Sequence, residues 1–232
     1  MKMKKKLLAV VMTVVMTCMM LTGCAKLAPA DQTVSALFDL YVKDDASAMQ
    51  SLLGFSSEEA VKAAFMEDSA NTDMVEGLKT ALESAGVEMS DADIQNLTDT
   101  MMGMMAKTTC TAEITEESAD VTTVTLHVNG YSNTEMQTIM EEASNKMVES
   151  ITEEDLLLIA EGDMDVFNKY MSGYLNDFVS GIAAMELVAE PVDVVVDCEK
   201  LMVEDNGKKI VAWLPSDMQG FASDMDAAIF QQ

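Results

Sequence analysis

The 232-residue chain contains no arginine, so all 14 of its basic residues are lysine. It therefore lacks the guanidinium fork that grips phosphates and carboxylates in bidentate pairs, and keeps lysine only as a point charge. It has a single histidine, His127, and any histidine-dependent chemistry must rest on that residue. Gly-x-Ser-x-Gly, the Walker loop, Gly-x-Gly-x-x-Gly and His-Glu-x-x-His are all missing, so no motif marks a nucleophile elbow, a phosphate cradle or a zinc helix. There is no repeat of 20 to 50 residues and no low-complexity linker. What the chain has in excess is acid: 40 Asp plus Glu give a formal charge of -26. Nucleic acid and other polyanions are poor partners for such a surface, whereas cations and cationic peptides suit it. With 49% apolar and 23% charged residues, the composition is that of a folded body.

The first 24 residues carry the most specific signal. Lys2, Lys4, Lys5 and Lys6 precede an uncharged run from Leu7 to Leu21, which ends at Thr22, Gly23 and Cys24. The run falls short of the roughly 20 apolar residues needed to cross about 30 Å of hydrocarbon, and reads as a secretory signal peptide over 1–23. Leu21-Thr22-Gly23-Cys24 resembles the lipobox of bacterial lipoproteins. That resemblance implies cleavage of the Gly23-Cys24 bond and a diacylglyceryl group on the Cys24 sulfur. Two acyl chains hold a protein on a membrane far more firmly than one, at about 0.8 kcal/mol per buried CH₂. Lipid at Cys24 is the only expected prosthetic group, and the extracytoplasmic face of the bacterial cell membrane the expected location. Loss of four lysines with the signal leaves a still more acidic body, which lipid, not charge, must anchor.

Residues 24–32 read as a lipidated terminus and short tether, and 33–232 as one α+β domain. From Thr33 a helical period runs through Val34, Leu37, Phe38 and Tyr41, breaks at Asp44-Asp45, and resumes to Leu53 and Gly54. Capping boxes predict helix starts at Ser56 with Glu59, Ser90 with Asp93, Ser132 with Glu135, Thr152 with Asp155 and Ser216 with Gln219. Further helices are expected over Asp73 to Ala85, closed by Gly86, and over Asp163 to Leu187. Alternating residues mark two hairpins: Thr109 to Thr115 with Val121 to Val128, and Val192 to Val203 with Lys208 to Leu214 across Asp205-Asn206-Gly207. The expected fold is thus a four-stranded antiparallel sheet packed with about seven or eight helices.

Leu37 to Asp45, Leu52 to Glu59, Val124 to Tyr131 and Gly207 to Trp213 together resemble a family of uncharacterised Gram-positive lipoproteins with a helix-rich domain, and more distantly the nuclear-transport-factor and cystatin-like folds. No catalytic residue set comes with that resemblance.

Candidate chemistry is sparse. His127 falls on the strand face of Thr123, Thr125 and Asn129, opposite Val124, Leu126 and Val128. Cys110 and Cys198 sit on the apolar faces of strands in different hairpins; they are open either to a disulfide or to burial as free thiols. Acidic pairs at Asp91/Asp93, Asp163/Asp165 and Asp224/Asp226 lack an EF-hand frame and lie near helix starts or polar faces. Met101, Met102, Met104 and Met105 flank Gly103; their thioethers suit Cu(I) or an adaptable surface, and their period suits helix core. The leading expectation is a lipid-anchored, non-enzymatic domain that binds a protein, peptide or small ligand. An envelope hydrolase using carboxylates and a Met-rich metal or redox protein are the alternatives.

Overall fold

Helix α1 (Ala30–Lys43) sets the core, because Val34, Leu37, Phe38 and Leu40 are each at most 1% exposed. It starts at Pro29, whose carbonyl accepts from Thr33 N–H at 3.1 Å, and it ends where Asp44 turns left-handed at φ 56°. In this computed structural model, residues 27–66, 74–84, 87 and 89–231 are described. Cys24, the Gly23-Cys24 bond and the helix stop at Gly86 lie outside them. The predicted boundary at 33 moves: Ala28 and Ala30 are buried against the core and the helix begins at Ala30, so 27–32 belongs to the body.

Eight further helices follow among the described residues: α2 (Ser47–Leu53), α3 (Glu58–Phe65), α4 (Met74–Ser84), α5 (Asp91–Lys107), α6 (Asn133–Ser150), α7 (Glu153–Ala160), α8 (Met164–Ala183) and α9 (Met218–Ile229). Ser90, Ser132 and Thr152 cap α5, α6 and α7 as predicted, each hydroxyl accepting the N–H three residues on. Two predicted caps shift by one residue. Ser57 caps α3, because Ser56 is recruited elsewhere: its N–H and hydroxyl both donate to Asp205, at 2.7 and 2.9 Å. Asp217 caps α9, because the Ser216 N–H donates to Asp197 O and prolongs the strand. The helix expected to run to Leu187 stops at Ala183, and Val188 N–H instead donates to Gly130 O.

The strands are β1 (Thr109–Glu117), β2 (Val121–Asn129), β3 (Tyr131–Ser132), β4 (Val192–Asp205), β5 (Lys208–Pro215) and β6 (Phe230–Gln231). Order β1-β2-β4-β5 makes a four-stranded antiparallel sheet, the two predicted hairpins joining where Val128 pairs Val192 and Val121 pairs Glu199. Asn206 and Gly207 both have positive φ, 49° and 84°, which is the backbone an Asn-Gly hairpin turn demands. A register shift between Ile114 and Glu116 bends β1 and leaves Ile114 exposed.

The two-residue parallel pair of β3 with β6 is absent from the sequence expectation; strands this short leave no alternation to read. It lies between two apolar clusters. One joins α1, α2, α3 and α9 to the sheet; the other packs α5 and α8 around Tyr131, whose buried hydroxyl donates to Met104 O at 2.9 Å. Phe230 touches both, which ties the α+β body into one domain. Among the described residues no helix is long and apolar enough to cross a membrane.

Candidate functional site

β2 places His127 at the centre of a solvent-facing polar row. Its register partner on β4 is Asp193, and its Nδ1 lies 2.6 Å from Asp193 Oδ1; Glu113 Oε1 of β1 approaches Nε2 at 3.6 Å. The hydrogen bond to Asp193 raises the imidazole above its usual 6.5, and the two carboxylate charges add to that. The ring is thus held between acids on both sides. Thr123 Oγ1 donates to Asp197 Oδ1 at 2.8 Å on the same face. Among the described residues, no serine, cysteine or lysine is bonded to the imidazole, and the geometry is that of a charge-paired histidine.

The cysteines do not meet. Cys110 pairs Val128 on one side of β2, whereas Cys198 pairs Thr122 at the other end of it. Two strand spacings, about 10 Å, separate β1 from β4 in the sheet, beyond the roughly 7 Å limit for a disulfide. Both thiols are free, pushed by burial to about 11 at Cys110 and about 12 at Cys198. The disulfide alternative is therefore corrected to two protonated, inert thiols.

Two of the acidic pairs, Asp91/Asp93 and Asp163/Asp165, sit at helix starts, whereas Asp224 and Asp226 lie within α9. Asp91 binds Lys79 Nζ at 2.7 Å, Asp93 accepts from Ser90 and Ser172, and Asp163 caps α8. Asp45, Glu59, Asp91 and Asp155 are each held below the usual carboxylate range: Asp45 by the Ser47 hydroxyl, Glu59 by its own backbone N–H, Asp91 by Lys79 and Asp155 by the Tyr170 hydroxyl. A general acid at neutral pH needs the opposite displacement. Among the described residues, no three His, Cys, Asp or Glu side chains are grouped to hold a metal.

Two apolar concavities remain. The larger, about 740 Å³, is a groove between the end of α3, the second half of the β4–β5 hairpin and α9; Phe65, Met66, Leu201, Met202, Leu214 and Met218 line much of it. Sequence reading missed it because its walls come from four separate segments, Tyr41 of α1 among them. One signal was available: Leu201-Met202-Val203 puts apolar residues on both faces of β4, and Met202 is 60% exposed. The smaller lies in the methionine cluster. Met101, Met104 and Met105 line it together with Met136 of α6, while the remaining member, Met102, is 38% exposed and outside it.

No family model matches the chain, and no curated protein does. Among solved structures it is similar to the crystal structure of ycdA from Bacillus subtilis, a protein provisionally described as a lipoprotein. The two are 13% identical with a TM-score of 0.51, over 88% of this chain and 57% of that one. This chain thus spans little more than half the length of that protein. At such identity the likeness establishes a shared fold.

Proposed function

We propose that the chain is a lipid-anchored lipoprotein, held through Cys24 on the extracytoplasmic face of the cell membrane, and that its α+β body is a non-enzymatic binding domain. The observation that carries the binding reading is the groove of about 740 Å³ walled by Phe65, Leu201, Met202, Leu214 and Met218, the largest of the concavities described above. Its apolar walls suit an apolar or amphipathic ligand or a partner segment.

Anchoring is supported by the lipobox, by the packing of Leu27 and Ala28 against the core only a few residues after Cys24, and by a neighbour of the same fold described as a lipoprotein. The sheet packed on the buried helix α1 supports the more distant likeness to nuclear-transport-factor and cystatin-like folds. Three residues, 24–26, separate the lipidated sulfur from Leu27 and span about 10 Å at most. The body is then carried close to the bilayer, not on a stalk.

The test has two parts. Cys24→Ala is expected to abolish fatty-acid labelling and lipoprotein-type processing; labelling at the wild-type level refutes the anchor. For the body, protein purified in mild detergent is expected to carry an apolar ligand or partner segment that Met202→Glu releases at unchanged circular dichroism. Turnover of an envelope polymer that survives Met202→Glu would replace binding with catalysis.

A further inference from the structure

The cavity between α5, α6, α8 and β6 has a volume of about 140 Å³ and a wholly apolar lining, including Met101, Met104, Met105, Met136, Phe178 and Phe230. We infer that it is a binding site for a small neutral apolar group of about six carbons, such as a hydrocarbon ring or the end of an alkyl chain. The groove described above plays no part in this inference.

Three observations lead there. The first is dryness. A trapped water needs two to four polar partners, and the wall offers none; the nearby Tyr131 hydroxyl and Met104 carbonyl are already bonded to each other. An engineered cavity of about 150 Å³ with a comparable lining stays empty of water and accepts benzene, so size and polarity match that class of guest.

The second is charge. Thioethers are soft donors that suit Cu(I), but a cation in this cavity would have no carboxylate in the wall to balance it, and an unpaired buried charge is costly. The methionine quartet therefore favours a neutral guest over the metal reading.

The third is access. Met101, Met105 and Met136 are only half-buried, and unbranched, three-torsion side chains of this kind can change rotamer to admit a guest without backbone movement. Methionine also adapts its contour to guests of differing shape, which a wall of leucine would not do as readily.

The experiment uses the purified protein labelled with ¹³C at methionine methyls. Benzene is expected to move the signals of Met101, Met104, Met105 and Met136 together, with a saturation curve separate from any shift of Met202 and Met218 in the groove. Met136→Trp, which places an indole at the half-buried edge, is expected to weaken the response at least tenfold. Phosphatidylcholine vesicles distinguish the source: movement of the same four signals by vesicles alone assigns the guest to an acyl chain, and by benzene alone to a free molecule. The inference is overturned if neither moves them, or if Ag(I), standing in for Cu(I), moves them while both apolar probes fail. Should Met136→Trp not fold, the wild-type spectra decide the matter by themselves.

Discussion

His127 illustrates how a single side chain acquires a pH response from its strand neighbours. Its folded-state pKa is raised, chiefly by the hydrogen bond to Asp193, with Asp193 and Glu113 charges contributing. The stability this provides is fully present below the unfolded value near 6.5 and is lost as pH rises through the higher folded value. Asp193→Asn is therefore expected to lower the His127 pKa in an NMR titration and to flatten stability across that window. An unchanged titration would mean that the short contact is not made in solution. The location of His127 on the polar face was legible from the alternation of β2. Its partners were not, because Asp193 lies 66 residues away and only register brings them together.

At the level of elements, two glycines separate helix propensity from steric fit. Gly103 lies inside α5 with open space where a Cβ would stand, so Gly103→Ala is expected to stabilise by about 1 kcal/mol. At Gly130 the same methyl would come 2.2 Å from Ile229 O and 2.6 Å from Ile229 C, backbone atoms that have no side-chain freedom to retreat. Gly130→Ala is expected to cost about 3 kcal/mol, as overpacking does at its upper end. Urea midpoints of the two variants, compared with the parent, check both signs at once. The contrast also marks what sequence reading reaches. Hairpins, most caps and the break at Asp44 are local chemistry, visible in Asn206-Gly207, Ser90 or Thr152. The cap displaced from Ser56 to Ser57 is not, since the competing acceptor, Asp205, arrives from a turn 149 residues later. The walls of the groove and of the methionine cavity escape notice for the same reason: no one segment contains them.

For the molecule as a whole, charge is the dominant quantity. Forty acids face 14 lysines, and the ion pairs Lys43–Asp39, Lys62–Asp44, Lys79–Asp91 and Lys146–Asp177 all lie at the surface, where each contributes little. Net self-repulsion should outweigh them. Raising sodium chloride from about 0.1 M to 1 M shortens the screening length from about 10 Å to 3 Å. The thermal midpoint is then expected to rise by about 2–4 °C, equivalent to roughly 1 kcal/mol in a domain of this size. A falling midpoint in a salt series would show that attraction, not repulsion, governs the surface.

The parallel pairing of Tyr131-Ser132 with Phe230-Gln231 has a bearing on how the molecule comes apart. Gln231 Nε2 donates to the Val128 carbonyl, and Phe230 reaches both apolar clusters, so one two-residue strand fastens the middle of the molecule. Fraying of that single clasp therefore loosens the sheet-side and the helical cluster together, instead of letting either one open alone.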